Sequence, residues 1–99
     1  MLQNEFDFLY DTTESTSTRF ISFIGASMHR FDLAITSTGR FFGKQLVTDL
    51  QNGKTVILGA DDLEEEGYLA YVYGLPEEAG EELASFLMPI IGVVNFTDI

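Results

Sequence analysis

The sequence contains no cysteine and no tryptophan, and it has only two prolines and one histidine. Without cysteine the chain can form neither disulfides nor thiolate metal sites, so side-chain packing must hold the fold together. No apolar run reaches the roughly 20 residues of a membrane-spanning helix, and acids at Glu5 and Asp7 stand where a secretory signal would carry bases. These absences predict a cytoplasmic protein that uses no cofactor and no metal and does not bind membranes.

Catalytic signatures are missing as well. No serine stands in a nucleophile elbow, and no glycine-rich phosphate loop follows a predicted strand. Carboxylates are so common in this chain that a pair of them carries little information about acid–base catalysis. The sequence therefore indicates no catalytic residue and favours a non-catalytic protein.

Basic residues are absent from the second half of the chain. Residues 1–54 hold five bases and six acids, a net charge of −1, whereas residues 55–99 hold ten acids and no Lys, Arg or His. The surplus of the −11 chain therefore belongs to its second half. Such a surface repels nucleic acid and attracts basic partners, so nucleic-acid binding is not expected.

The 99 residues, 45% of them apolar, are enough for one core and predict a single domain over residues 1–99. Its expected parts are an N-terminal arm and polar loop (1–18), a β-sheet (19–59), two helices (61–88) and an apolar tail (89–99). Strand patterns come first and helical patterns follow, the order of an α+β fold. We expect an antiparallel β-meander of four to five strands, followed by two C-terminal helices packed on one face.

Apolar periodicity predicts the individual strands. Residues 5–10 alternate and suggest a short strand, residues 19–25 form an apolar run typical of a strand covered on both faces, and residues 31–36 alternate as a half-buried strand does. A third strand is expected over residues 41–50, with a bulge at Gly43. Asn52-Gly53 predicts a type I′ hairpin turn to the next strand.

Capping residues and apolar spacing predict the two helices. Asp61 is the expected N-cap of the first, with Glu64 in the capping-box position and Gly74 as its end. Pro76 opens the second, and Pro89 ends or kinks it. The expected buried face of this second helix consists of Ala79, Leu83, Phe86, Leu87 and Ile90.

Five short motifs carry a resemblance to a known family: TRFISFIG (18–25), RFDLAI (30–35), RFFGK (40–44), LQNGK (50–54) and LGADDLEEEGYL (58–69). In this order they resemble a family of small cytosolic bacterial proteins catalogued as a domain of unknown function. The resemblance extends over residues 10–88. It implies a compact bacterial domain and supplies no catalytic residue, cofactor or activity.

The acids of the two predicted helices are the first candidate site. They form a surface for a basic protein partner, with mimicry of nucleic acid as one version, or they serve only as solubilising charge. Residues 61–66 lack the ligand spacing and the central glycine of a calcium loop, so no metal site is predicted. The candidate interaction residues are Asp61, Asp62, Glu64, Glu65, Glu66, Glu77, Glu78, Glu81 and Glu82.

Three potential cations form an alternative site. In a meander, the loop before Arg30 lies at the same end of the sheet as the Asn52-Gly53 turn, which would bring His29, Arg30 and Lys54 together. Arg30 offers a fork of donors and Lys54 a point charge to a phosphate or carboxylate. The corresponding function is a small ligand-binding protein or enzyme with an anion site.

The apolar tail predicts self-association. Its large side chains are too many for a solvated segment, since exposed apolar patches mark interfaces. They either add a strand to the sheet within one subunit or pair with a second copy in a homodimer, which we favour. The candidate dimer residues are Ile90, Ile91, Val93, Val94 and Phe96.

Overall fold

Residues 5–92 are described by a computed structural model, which contains one antiparallel sheet and a set of C-terminal helices. The strands are β1 (Ser17–Ile24), β2 (Arg30–Ser37), β3 (Gln45–Asp49) and β4 (Lys54–Leu58). They lie side by side in the order β1-β2-β3-β4, and each pairs antiparallel with the next. The predicted α+β architecture, a four-stranded meander followed by helices, is confirmed.

The helical part contains three helices: α1 (Ala60–Glu64), α2 (Tyr68–Tyr73) and α3 (Glu77–Leu87). A single π-helical turn, Met88–Gly92, follows α3 at the proline that was expected to end it. The first predicted helix is thus two helices, separated at Gly67, which has φ +81°. The break has a physical reason, because Leu63 and Leu69, six residues apart, would not share one face of a continuous helix.

The N-terminus of α1 differs from the prediction. Its N-cap is Gly59 rather than Asp61, and the residue in the capping-box position is Asp62 rather than Glu64. The Asp62 carboxylate accepts a hydrogen bond of 2.8 Å from the Gly59 N–H. Asp62 therefore contributes to folding by satisfying a backbone donor at the helix start.

The core lies between the helices and one face of the sheet. Register places Ile21, Leu33 and Asp49 in one row and Ile35, Val47 and Val56 in another on this covered face. Tyr73 at the end of α2 is 1% exposed, and its hydroxyl donates a 2.7 Å hydrogen bond to the Val47 carbonyl. Burial raises the pKa of Tyr73 well above its usual range. The largest fully buried side chains are Leu33, Val47, Leu58, Tyr73, Leu83 and Leu87.

The opposite face of the sheet is open over β1, which was expected to be covered on both faces. Phe20 is 73% exposed there and Ile24 62%. Across this open face, hydroxyl pairs hydrogen-bond between strands, with Thr18 and Thr36 2.8 Å apart and Thr48 and Thr55 2.7 Å apart. Phe20 and Ile24 of β1 thus face solvent within a largely polar surface, whereas Ile21 and Phe23 pack against the core.

The N-terminal arm, residues 5–16, contains no strand, contrary to the prediction for residues 5–10. Its base is fixed at the β2–β3 turn, where the Glu14 carboxylate accepts hydrogen bonds from the Thr38 hydroxyl and the Gly39 N–H. Arg40 donates to the Tyr10 hydroxyl at 3.0 Å and lies over the Tyr10 ring, 5.3 Å from its centre. A strand needs a neighbour for its backbone groups, and none of the described residues provides one to the arm.

Two of the three sheet turns also refine the predictions. The β3–β4 hairpin is confirmed, but Gly53 has φ +78° while Asn52 is not left-handed, so the turn is not type I′. Instead, the Gly53 N–H donates to the Asp49 carbonyl at 2.7 Å, which closes a longer loop. Gly43, with φ +71°, lies in the turn before β3 rather than in a bulge, so β3 begins at Gln45 instead of residue 41.

Across residues 5–92, no helix has both the length and the apolar character that crossing a membrane requires.

Candidate functional site

A cleft of about 130 Å³ separates α3 from the connection between α1 and α2. Its floor is apolar or small, made of Leu63, Leu69, Ala70, Gly80 and Ala84, and its rim is acidic, made of Glu65, Glu66, Glu77 and Glu81. We call this feature the acidic cleft. Four of the nine predicted interaction residues therefore share one concave surface.

Three of the rim carboxylates converge. Oxygens of Glu66, Glu77 and Glu81 lie within 4.8 Å of one another, and all three residues are exposed. Two unit charges 4 Å apart repel by about 1 kcal/mol even in water. No base occurs anywhere in residues 55–99 to offset this repulsion locally. The geometry would suit a cation, either a hard metal ion or the charged end of a basic side chain.

A close contact between two helices creates this convergence. A Cβ built on Gly80 would lie 2.8 Å from both the Cβ and the backbone nitrogen of Ala70. Glycine therefore lets α3 approach α2 more closely than any other residue would. The approach brings Glu77 and Glu81 of α3 to Glu66, which precedes α2.

The other predicted interaction residues lie elsewhere. Asp61 and Glu64 are exposed on α1, and Asp62 caps that helix. Glu78 faces a second, more open depression between α3 and the β1–β2 loop. Glu82 accepts hydrogen bonds from the Ser27 N–H at 2.6 Å and the Ser27 hydroxyl at 2.9 Å. Glu82 thus fixes the loop to α3 and is already satisfied within the fold.

The three potential cations of the alternative site do not converge on one face. Arg30 is the register partner of Ile24 on the open face, whereas Lys54 pairs with Asp49 on the covered face. The His29 ring contacts that of Phe31, with ring centres 4.6 Å apart and the two planes inclined at 53°. The sheet itself therefore stands between Arg30 and Lys54.

Arg30 is also engaged by a carboxylate. Its Nε lies 3.0 Å from Asp32 Oδ2, and Asp32 accepts a further bond of 2.8 Å from the Gln51 amide. Hydrogen bonds from Gln51 and Ser22, with the adjacent Arg30 charge, lower the pKa of Asp32 to about 2. Asp32 thus supplies the anion to which Arg30 binds.

The predicted dimer residues are divided by the structure. Ile91 is 5% exposed and belongs to the subunit's own core, and Ile90 packs partly against that core. Val93, Val94 and Phe96 lie outside the described residues. A homodimer through this tail stays a prediction, and Ile91 is buried without a partner.

A family model described as SAV0927-like matches residues 9–89 of the sequence. The chain belongs to this family. No curated protein matches the sequence. The matched range includes the whole sheet, all three helices and the acidic cleft, so the site lies within the family domain. The family's description states no activity, and the functional argument therefore depends on the geometry of the site.

Sequence reasoning missed two features that shape the site. The role of Gly80 was hidden because a glycine inside a helical pattern gives no sign of which helix approaches it. The bond between Glu82 and Ser27 joins residues 55 positions apart, and neither residue type signals it. The charge distribution, in contrast, was visible in the sequence alone.

Proposed function

We propose that this protein is a non-catalytic binding module whose acidic cleft receives an arginine or lysine side chain of a basic protein partner. The observation that supports the proposal best is the convergence of Glu66, Glu77 and Glu81 within 4.8 Å above an apolar floor. A basic side chain satisfies both parts of this surface, because its aliphatic stem packs on apolar atoms while its cation reaches the carboxylates.

Charge distribution supports a partner over an internal counter-ion. Arg30 is paired with Asp32, and Arg40 lies 3.9 Å from Glu14. Two of the five bases therefore pair with acids in the first half of the chain. The chain offers no base after Lys54. A bound cation would relieve the mutual repulsion of the three glutamates, and this relief adds to the favourable energy of binding.

We further propose that the protein acts in the bacterial cytoplasm. The absence of cysteine is typical of a protein that does not depend on an oxidising compartment. The resemblance noted from the five motifs is to cytosolic bacterial proteins.

Binding of a fluorescent oligo-arginine peptide, measured by anisotropy in the presence of a metal chelator, tests the cleft. The test variant is the triple substitution Glu66→Gln, Glu77→Gln and Glu81→Gln. The matched control removes three charges elsewhere through Asp61→Asn, Glu64→Gln and Glu78→Gln. We expect the test variant to bind about tenfold more weakly or worse, and the control to lose far less, because a converging site depends on position as well as on total charge.

Equal losses in the two triple variants would contradict the proposal, since they would indicate a diffuse attraction by net charge. Unchanged binding in the test variant would contradict it as well. Affinity capture from cytosol, eluted by salt, then identifies natural partners, and a basic protein that is retained by the control variant but not by the test variant is the expected result.

No observation on the described residues favours the alternative anion-binding function. Arg30 is occupied by Asp32, and Lys54 lies on the other face of the sheet.

A further inference from the structure

Two apolar surfaces of this chain lack cover among residues 5–92. One is the outer side of β1, where Phe20 and Ile24 are 73% and 62% exposed. The other is the N-terminal arm. Its exposed apolar side chains are Phe6, Phe8, Leu9 and Tyr10, whose exposed fractions are 74%, 75%, 96% and 69%. Contiguous exposed apolar surface of this kind marks an interaction site.

The sequence of β1 is that of a strand buried on both sides. Ile21 and Phe23 pack against the core on the covered face, while Phe20 and Ile24 extend from the open face. A solvated face would be expected to carry polar residues at these positions, as Thr48 and Thr55 do on β3 and β4. The apolar composition of the open side of β1 therefore indicates a contact surface.

The arm has the dimensions of a cover for this strand. Phe6 and Phe8 are two residues apart and so lie on one side of an extended segment, as Phe20, Ser22 and Ile24 do on β1. Residues 5–9 in extended form span roughly 13 Å, the same length as the segment from Phe20 to Ile24. The arm is held at the β2–β3 turn by Glu14 and Arg40, and its apolar side chains remain exposed instead of reaching the open face of their own subunit.

The exposed area is close to what a stable dimer needs. An aromatic side chain buries about 150–250 Å², so the rings of Phe6, Phe8, Tyr10 and Phe20, each about three-quarters exposed, present roughly 450–700 Å². Leu9 and Ile24 add to this area. A standard interface buries about 800 Å² per partner.

Local charge also favours a second copy at this surface. β1 carries no acid, and its one charged residue, Arg19, is the register partner of Ile35 on the covered face. On the open face Arg30, 66% exposed and paired with Asp32, lies opposite Ile24. The arm carries Glu5 and Asp7 on either side of Phe6. An acidic arm would thus meet a strand that carries no acid, so no like charge of β1 opposes the contact, while the acidic helices of the two copies remain apart.

We propose that two copies of this chain form a two-fold dimer in which the arm of each lies across the open face of β1 in the other. The exchange is reciprocal: each chain contributes one arm and one open β1 face. All four surfaces are therefore covered in a dimer, and no further copy can be added through them. This interface differs from the C-terminal tail that the sequence suggested, and it does not depend on the function of the acidic cleft.

Sedimentation velocity of the complete chain tests the assembly. We expect a dimer at micromolar concentration, and an increase of about tenfold or more in its dissociation constant for Phe6→Ser with Phe8→Ser and for Phe20→Ser with Ile24→Thr. Phe42→Ser is the matched control, because Phe42 is 98% exposed in the β2–β3 turn and lies outside both surfaces. The arm variant alters no buried residue, so its fold should match the parent by circular dichroism.

Because the chain has no cysteine, engineered thiols report the contact without background. A mixture of a Phe8→Cys chain and an Ile24→Cys chain should form a covalent heterodimer on oxidation, whereas an Ile24→Cys chain mixed with a Phe42→Cys chain should not.

A monomer at micromolar concentration overturns the proposal, whether the face is covered from within the chain or by another protein. A dimer that both double variants leave intact overturns it too, because the interface would then lie elsewhere. A disulfide confined to one chain in a Phe8→Cys and Ile24→Cys double variant would show that each arm covers its own sheet.

Discussion

Acidic residues have different surroundings in two regions of this molecule. We call residues 5–58, the arm and the sheet, the sheet half, and residues 59–92 the helical half. In the sheet half, Asp32 binds Arg30 and Glu14 binds Thr38, Gly39 and Arg40. In the helical half, Glu66, Glu77 and Glu81 converge with no base in the surrounding sequence. Paired acids stabilise a fold, whereas clustered acids destabilise it unless a cation binds. This contrast between paired acids and three clustered glutamates is the basis of the proposal that the acidic cleft receives a basic side chain.

The largest expected effect comes from separating the two helices that bring the glutamates together. Gly80→Ala would place a Cβ 2.8 Å from Ala70, so we expect a loss of about 1–3 kcal/mol in the free energy of unfolding. Chemical denaturation measures this loss. The control is Gly39→Ala, where a Cβ meets nothing within 4 Å. Equal stability of the two variants would mean that α2 and α3 tolerate separation and that the cleft geometry is not fixed by Gly80.

The second prediction concerns the contact that joins the helical half to the sheet. Tyr73→Phe removes the bond to the Val47 carbonyl and should cost about 1 kcal/mol. Since burial raises the pKa of Tyr73, the unfolded chain releases this proton near pH 10.0 while the folded chain retains it. Folding stability should therefore fall as the pH rises above about 10, and the fall should be smaller in the variant.

Thermal unfolding across the alkaline range checks this dependence. Tyr71→Phe is the control, because Tyr71 is 84% exposed on the same helix and should change neither the stability nor its alkaline slope. If Tyr73→Phe keeps the full alkaline loss of the parent, Tyr73 is not the group responsible.

A third prediction compares two adjacent acids of α3 that serve different purposes. Glu82 is bound to Ser27, so Glu82→Gln should destabilise the protein by up to about 1 kcal/mol, reduced by its partial exposure. Glu81 faces two like charges, so Glu81→Gln should leave the stability unchanged or raise it. Melting temperatures at low salt give the two signs. A fall of the same size in both would remove the distinction between paired and clustered acids.

The smallest effect is expected at an acid of the sheet half. The folded state lowers the pKa of Asp32 from 3.8 to about 2, so its ionised form stabilises the fold above about pH 4, and this contribution is lost as the pH falls toward 2. Asp32→Asn should melt slightly below the parent at neutral pH, and the gap should close between pH 4 and pH 2. A gap that stays constant over this range would show that the Asp32 charge contributes nothing.

Much of this organisation is visible in the sequence, and the exceptions have physical causes. The meander, the buried face of α3 and the charge distribution follow from local periodicity and composition, which depend on near neighbours. The split at Gly67 does not, because a glycine in a helical pattern leaves both continuation and a break open. The convergence of Glu66 with Glu77 and Glu81 depends on how α2 and α3 pack.

The sheet shows the same division. The apolar run of β1 was readable, but the sequence could not tell that helices cover one side only. The predicted anion site does not form because Arg30 and Lys54 lie on opposite faces of the sheet. The face that a strand residue occupies depends on the register, and a shift of one residue would move it to the other face.

The most direct test of the central claim, that the clustered glutamates are unpaired in the free protein, is the melting temperature of the two triple variants at low and high salt. The test variant removes one first-turn acid, Glu77, whereas the control removes two, Asp61 and Glu78, together with Glu64, whose charge is unfavourable at the end of α1. The net helix-dipole losses of the two variants are therefore similar. We expect the variant lacking Glu66, Glu77 and Glu81 charges to melt several degrees above the control at low salt, with the gap shrinking as salt screens the repulsion in the parent. A test variant that melts at or below the control would contradict the account, because its carboxylates would then stabilise the fold as those of the sheet half do.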